Sequence, residues 1–284
     1  MAKKVQLTLT GNEGKVLIAK AAAKLPQVQE CLACARLLLA GGTTVSAFSE
    51  ELGYGPLRIS GRIDASGTRT ALNIMPTPHN LLIQKGQAIN VDKNIQEVVE
   101  SLNNQDLIVI GANAIDTQGR AALAFAAMGG GSRGFALHSA YMQGVPMLIL
   151  CGLNKLIPDL GSAMAHSGRT SIDMAMGAAI GLYNLYGPII TEIKAFEILF
   201  GVEAVVIAGS GIGNGEGSRT FVLYGEEEAI MESWKQVQAI KGAPLSGDQG
   251  SLPVCHGGCV HCKRHVGCMY KYASMPECQN SFWS

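Results

Sequence analysis

Asp106-Leu107-Ile108-Val109-Ile110-Gly111 is the stretch on which the fold turns. Four large aliphatic side chains in a row, with no polar residue among them, read as a strand buried on both faces. That is the pattern of a parallel sheet covered by helices. The strand runs into Gly111-Ala112-Asn113-Ala114-Ile115-Asp116, a polar turn at its carboxyl end. Open α/β sheets bind their ligands at that edge. Outward from it, Arg36-Leu37-Leu38-Leu39-Ala40 and residues 145–151 have the same short apolar character. Helices are predicted over 14–30, from 45 to 52, over 94–102 and over 132–143. This alternation predicts an α/β fold with a parallel-type sheet flanked by helices.

Further along, residues 57–91 are rich in β-formers and turns, with Leu57-Arg58-Ile59, a run from Thr70 to Ile74, and Asn80-Leu81-Leu82-Ile83. Thr170-Ser171-Ile172-Asp173 resembles a capping box ahead of a small-residue helix over 174–185. After Gly187-Pro188 the pattern changes to a helix over 192–200, strands over 203–208 and 220–224, and a charged amphipathic helix over 226–241. The domain organisation expected is an α/β domain over 1–186, a small α/β subdomain or lid over 187–241, a linker over 242–254 and a cysteine-rich tail over 255–284. The glycines of 209–217 follow a strand and invite a dinucleotide-binding reading. Asn214 stands where G-x-G-x-x-G needs its last glycine, and a strand follows instead of a helix. A loop between two strands is predicted there.

With 284 residues, the chain has room for two domains or one elaborated domain. Hydrophobic residues make up 48% and charged residues 15%, which excludes a disordered chain. Twenty-two basic residues balance 22 acidic ones, so no global field draws nucleic acid or an anionic membrane. No apolar run follows Lys3 and Lys4, so no signal peptide is expected. The uncharged stretches 134–154 and 174–191 are interrupted by His138, Ser139, Gln143 and Pro146, and by Gly187-Pro188. They read as buried core rather than membrane spans, and the expected location is cytoplasmic. Low charge content points to a homo-oligomer.

Four motifs stand in register over residues 36–156: Ala40-Gly41-Gly42-Thr43-Thr44 after a strand, Ile110-Gly111-Ala112-Asn113-Ala114 at a strand end, Met128-Gly129-Gly130-Gly131-Ser132, and Gly152-Leu153-Asn154-Lys155 after a further strand. In order and interval they resemble the superfamily of ribose-5-phosphate isomerase, glucosamine-6-phosphate deaminase and the CoA transferases. Ribose phosphate isomerases carry G-T-G-S-T, D-G-A-D-E, K-G-G-G-A and D-x-S-K at these places. The resemblance implies a scaffold that cradles a phosphorylated or carboxylated metabolite, with isomerisation or acyl transfer as the associated chemistry. The chain departs from the isomerase pattern where acids would stand, at Ile110, Asn113 and Ala114, and Met128 replaces the lysine. An isomerase needs a general base beside the substrate carbon, so isomerase activity is not carried over. Sugar-phosphate-sensing repressor domains and lactate-utilisation proteins are similar in this region. They supply the alternative of a non-catalytic metabolite sensor or redox-complex subunit.

Each candidate residue has a structural alternative. Gly41, Gly42, Thr43 and Thr44 offer backbone N–H groups and hydroxyls to an anion, or form an ordinary strand-to-helix turn. Gly111 and Asn113 sit at the sheet edge. Asp116 is a candidate acid or base there, or a turn-former in Asp116-Thr117-Gln118-Gly119. Gly129, Gly130, Gly131 and Ser132 allow close backbone approach, with Arg133 as the anion's partner, or make a plain glycine loop. Lys155 neutralises a ligand charge or forms a Schiff base, or is a solvated loop residue. His138 and His166 are general-base candidates by side-chain type, and more often such residues are structural. Cys31 and Cys34 read as structural thiols, with a redox pair or extra metal ligand as the alternative.

The tail carries the strongest chemical pattern. Cys255, Cys259, Cys262 and Cys268 fall within fourteen residues, with Cys278 beyond. Four thiolates at that spacing wrap one metal centre. The glycines Gly257, Gly258 and Gly267 allow loops that aim N–H groups at sulfur, which suits a 4Fe-4S iron–sulfur cluster. Zinc is the alternative, with His256, His261 or His265 able to supply a nitrogen ligand. A chain so equipped is expected to bind a small anionic metabolite, with a homo-oligomer or a redox partner, and without nucleic acid or membrane.

Overall fold

The computed structural model describes residues 2–71, 75–252 and 265–271. In chain order the elements are β1 (Ala2–Leu9), α1 (Gly11–Ala23), α2 (Pro26–Cys34), β2 (Arg36–Ala40), α3 (Thr43–Glu51), β3 (Gly61–Asp64), β4 (Gly67–Thr70), β5 (Asn80–Gln84), β6 (Gln87–Asn90), α4 (Ile95–Ser101), β7 (Leu107–Gly111), β8 (Ala114–Ile115) and β9 (Ala121–Phe125). They continue with α5 (Gly131–Met142), β10 (Met147–Leu150), α6 (Leu160–His166), β11 (Gly181–Leu185), β12 (Ile189–Ile190), α7 (Glu192–Phe200), β13 (Glu203–Ser210), β14 (Ser218–Glu226) and α8 (Glu227–Ile240). No helix among the described residues is long and apolar enough to cross a membrane.

The strand at 107–111 lies inside a six-stranded sheet of order β12-β10-β7-β2-β5-β6. The first four strands are parallel, as the apolar runs predict. The last two are antiparallel, so the sheet is mixed rather than parallel-type. The reason is local. Lys85 and Gly86 both adopt positive φ (51° and 73°) and close a two-residue turn between Gln84 and Gln87. A turn that tight joins only antiparallel neighbours.

Both faces of the sheet are covered. Leu37, Leu39, Val109, Leu148 and Leu150 face a core shared with α1, α3 and α7. The alternate residues Leu38, Ile108, Ile110, Met147 and Ile149 face a second core with α4 and α5. The first core also takes in Leu7, Phe196, Phe221, Leu223, Ile230 and Val237. β1 pairs along its whole length with β14 in a separate sheet of order β1-β14-β13. Residues 192–240 therefore pack with the chain's own first strand.

Two predicted helices are corrected. The helix over 14–30 is two helices, because Pro26 opens α2 and the chain is extended at Leu25. Residues 174–180 are irregular, and the predicted helix over 174–185 is in fact strand β11, antiparallel to β9. Gly177 holds φ +87° with its Cα against the carbonyl of Thr68, a conformation that a helix interior excludes. Tail residues 265–271 return to this segment. Cys268 bridges Ala175 in parallel fashion, and the Arg69 guanidinium lies 4.5 Å from the Tyr270 ring centroid. Leu72, Asn73 and Ile74 of the predicted β-rich run lie outside the described residues.

Candidate functional site

Strands β2, β7 and β10 end side by side, and the predicted loops follow from their carboxyl ends. Gly41 donates its N–H to the carbonyl of His79 (3.0 Å), and a Cβ at Gly41 would run into that carbonyl and the imidazole ring. Gly42 caps α3 without any side-chain hydrogen bond. Thr43 opens the helix, and Thr44 is buried with a hydroxyl that has no hydrogen-bond partner. The strand, glycine turn and helix are as the sequence predicts, but neither threonine caps the helix.

Arg133 turns inward from α5 instead of outward to solvent. It donates to the carbonyl of Gly41 (3.4 Å), to Asn80 Oδ1 (2.9 Å) and to His79 Nε2. The His79 Nδ1 faces the carbonyl of Arg58 (2.6 Å), which only accepts, so Nδ1 carries the proton and Nε2 accepts. Ser60 Oγ is also 2.9 Å from Nε2. Burial, reinforced by the Arg133 charge, pushes His79 down to about 3. Burial alone would raise Asp92. The N–H groups of His79 and Asn80 and the Arg58 guanidinium hold it below the usual carboxylate range. This polar network ties the 41–44 turn to the start of α5.

Asp116 is spent on its own turn. Its oxygens accept from the N–H groups of Gln118, Arg120 and Leu160 (3.0, 3.0 and 3.1 Å) and from Arg120 Nε (2.8 Å). Burial works against the charge, but these donors keep the carboxyl far below its ordinary range. The Asn113 N–H donates to the carbonyl of Ala122 (2.7 Å), and its Oδ1 accepts from the N–H of Ala124 (3.0 Å). Gly111 ends β7 in register with Leu150. Gly129, Gly130 and Gly131 all have left-handed φ (62°, 74° and 63°), and Ser132 is exposed in the first turn of α5. His138 and His166 are exposed helix residues away from the edge.

Lys155 does sit at the edge. Its Nζ donates to the carbonyl of Ala112 (2.6 Å) across the ends of β10 and β7. Around it lie groups not singled out from the sequence. Lys15 of α1 is only 8% exposed, and Asn12 Oδ1 accepts from its Nζ (3.1 Å). Burial and the nearby Lys155 bring Lys15 down to about 8, against an opposing pull from Glu192. Glu192 opens α7, is 3% exposed and accepts from the N–H of Leu153 (2.8 Å). Burial raises its carboxyl above the usual range. Asn154 is crowded by three glycines from separate segments, Gly11, Gly152 and Gly217. Its Oδ1 is buried and unpartnered.

No family model and no curated protein matches this chain. The edge is nevertheless chemically specific. Lys15 and Lys155 are close enough to act on one another, and among the described residues neither forms an ion pair. Lys15 is buried and Lys155 half-buried, and Glu192 offsets their charge only in part, so an anion joining the pair is favoured. The signal for Lys15 was present in the sequence: it falls on the same helical stripe as Ile18, Ala19 and Ala22, all at most 1% exposed. A lysine in a core position of an apolar stripe asks for a reason.

Cys268 is buried (3% exposed), whereas Cys255, Cys259, Cys262 and Cys278 lie outside the described residues. Among the described residues no group of three or more His, Cys, Asp or Glu side chains is placed to hold a metal. Of the CxxC pair, Cys31 is buried and Cys34 exposed.

Proposed function

We propose that this chain binds a small phosphorylated or carboxylated metabolite at the carboxyl edge of the six-stranded sheet, with its anionic group between Lys15 and Lys155. The observation that carries this reading is the pair of lysines brought together at the edge without an ion-pair partner. Asn154 Oδ1, buried without a donor, accepts a hydroxyl of the ligand. Glu192 and Lys15 are pushed toward neutral pH from opposite sides. A carboxyl raised and an ammonium lowered by burial are both brought nearer the pH at which general acid–base groups work, so the pair supplies proton transfer where Asp116 does not. The tail thiolates Cys255, Cys259, Cys262 and Cys268 would hold an iron–sulfur cluster, with zinc as the alternative. The clustering of five of the eight cysteines in the tail, at metal-ligand spacing, supports a reducing, cytoplasmic location.

The test is thermal unfolding of the full chain, handled anaerobically, with ribose 5-phosphate and with succinate. A concentration-dependent rise in Tm is expected with at least one of them, lost in Lys155→Met and in Lys15→Met. A rise unchanged in both variants removes the edge as the site. Turnover of the stabilising ligand, lost in Glu192→Gln while the Tm shift stays, supports an enzyme. A Tm shift without turnover supports a sensor or redox subunit. Iron, sulfide and zinc analysis of the same sample decides the tail: about four irons with four sulfides support a cubane cluster, and about one zinc supports a structural knuckle.

A further inference from the structure

On the α5 side of the sheet, away from Lys15 and α1, lies a cavity of about 300 Å³. Its lining includes Phe125, Met128, Gly129, Gly130, Arg169 and Tyr183. The volume is at the lower end of the range for small-molecule sites.

Three features define its chemistry. The Arg169 Nε–H donates to the carbonyl of Ala126 (2.8 Å), which orients the fork. Among the described residues its terminal nitrogens have no carboxylate or carbonyl partner. A fixed guanidinium with two free donors matches a carboxylate or phosphate. Phe125 and Tyr183 meet edge to face, centroids 6.2 Å apart at 78°, and both line the same space. Such a pair offers a flat ring both a face and an edge. Finally, Gly130 is held at φ 74°, and a Cβ there would lie 3.4 Å from the Phe125 ring. The glycine keeps that part of the ring clear.

We infer that this cavity binds an anion carrying a flat aromatic body, such as a nucleoside monophosphate or an aryl carboxylate, with the anionic group on Arg169 and the ring against Phe125 and Tyr183. The site is separate from the edge of the six-stranded sheet. Arg169 lines the cavity together with Gly134 of α5, and Tyr183 packs on the α5 core, whereas Lys15 belongs to α1, which packs on the opposite core.

Calorimetric titration of the full chain with AMP and with 4-hydroxybenzoate tests this, with adenosine and inorganic phosphate as the separated parts. At least one ring-bearing anion is expected to bind, at least tenfold more tightly than either part. Arg169→Gln should weaken it about tenfold or more, and the same loss is expected when Arg169→Gln is added to Lys15→Met, in which the sheet-edge lysine pair is already broken. Preference for AMP identifies a nucleotide site, and preference for 4-hydroxybenzoate an aryl acid site. The inference is overturned if neither binds below roughly 1 mM, if inorganic phosphate alone binds as well as AMP, or if Arg169→Gln binds like the unaltered chain. Far-ultraviolet circular dichroism of the Arg169→Gln protein checks that it is folded. Should it not be, Tyr183→Leu is the second variant, with the same weakening expected.

Discussion

Arg133 donates to Nε2 of His79 while Nδ1 of the same ring donates to the carbonyl of Arg58. The imidazole is thereby fixed as one neutral tautomer, because a second proton would point a donor at a guanidinium. This sets a sign for acid stability. The folded ring titrates at about 3, against a reference of 6.5. Below 6.5 the unfolded chain takes up a proton that the folded chain refuses, so stability is full above 6.5 and is lost as pH falls toward 3. Between pH 7 and 5 the loss from this group is about 2 kcal/mol. Urea unfolding of the unaltered chain and of His79→Gln at both pH values measures it. The variant starts less stable but lacks that increment, and an equal pH dependence in the two proteins would refute the assignment.

Gly41 is sterically obligatory and Gly111 is not. A Cβ at Gly41 collides with the His79 backbone and ring, whereas one at Gly111 finds its nearest neighbours at 3.8 and 3.9 Å. Gly41→Ala should cost about 2–3 kcal/mol from overpacking. Gly111→Ala should stay within about 0.5 kcal/mol. Chemical denaturation midpoints compare the two directly, and a tolerated Gly41→Ala would show that His79 yields.

Asp116 and Lys155 should part company. Asp116→Ala strands the N–H groups of Gln118, Arg120 and Leu160. It should destabilise the fold by about 2–3 kcal/mol while leaving metabolite affinity intact in the folded fraction. Lys155→Met should leave stability nearly unchanged and abolish binding of the edge ligand. The opposite pattern would return Asp116 to the site.

Lys15 gives a second pH signature of the same sense, displaced to the alkaline side. Its folded-state value of about 8 lies below the reference of 10.5, so at neutral pH the folded state bears the cost of a buried charge. That cost, about 3 kcal/mol, is present below pH 8 and is relieved as pH rises from 8 to 10.5. Stability of the unaltered chain relative to Lys15→Met should therefore increase between pH 8 and 10. A bound anion at pH 7 should recover part of the same energy. A flat difference across that range would mean that the Lys15 ammonium is solvated.

Much of the fold was legible because its signals are local. The runs at 36–40 and 107–111 are apolar on both faces, and helix 192–200 lies where its amphipathic pattern places it. The misread helix over 174–185 is made of small residues without a distinct stripe. Its conformation comes from pairing with β9 and from Gly177 against Thr68, contacts between distant parts of the chain. The N-terminal strand β1 carried a readable alternation of exposed and buried residues, but its partner β14 lies more than two hundred residues away.

The site divided along the same line. The glycine positions, the lysine after β10 and the thiolate spacing of the tail could be read from short segments, because backbone freedom, charge and ligand spacing are local properties. Which charges are free depends on long-range contacts. Arg133 and Asp116 look available in sequence, yet each is consumed by partners that the fold brings to it: His79 and Asn80 for one, Arg120 and Leu160 for the other. Lys15 stands out in sequence as a lysine on the apolar stripe of α1, but only packing of α1 on α7 sets it beside Lys155 and Glu192. A side chain's chemistry is written in its residue type, but its solvation and partners are set by segments far away in the chain.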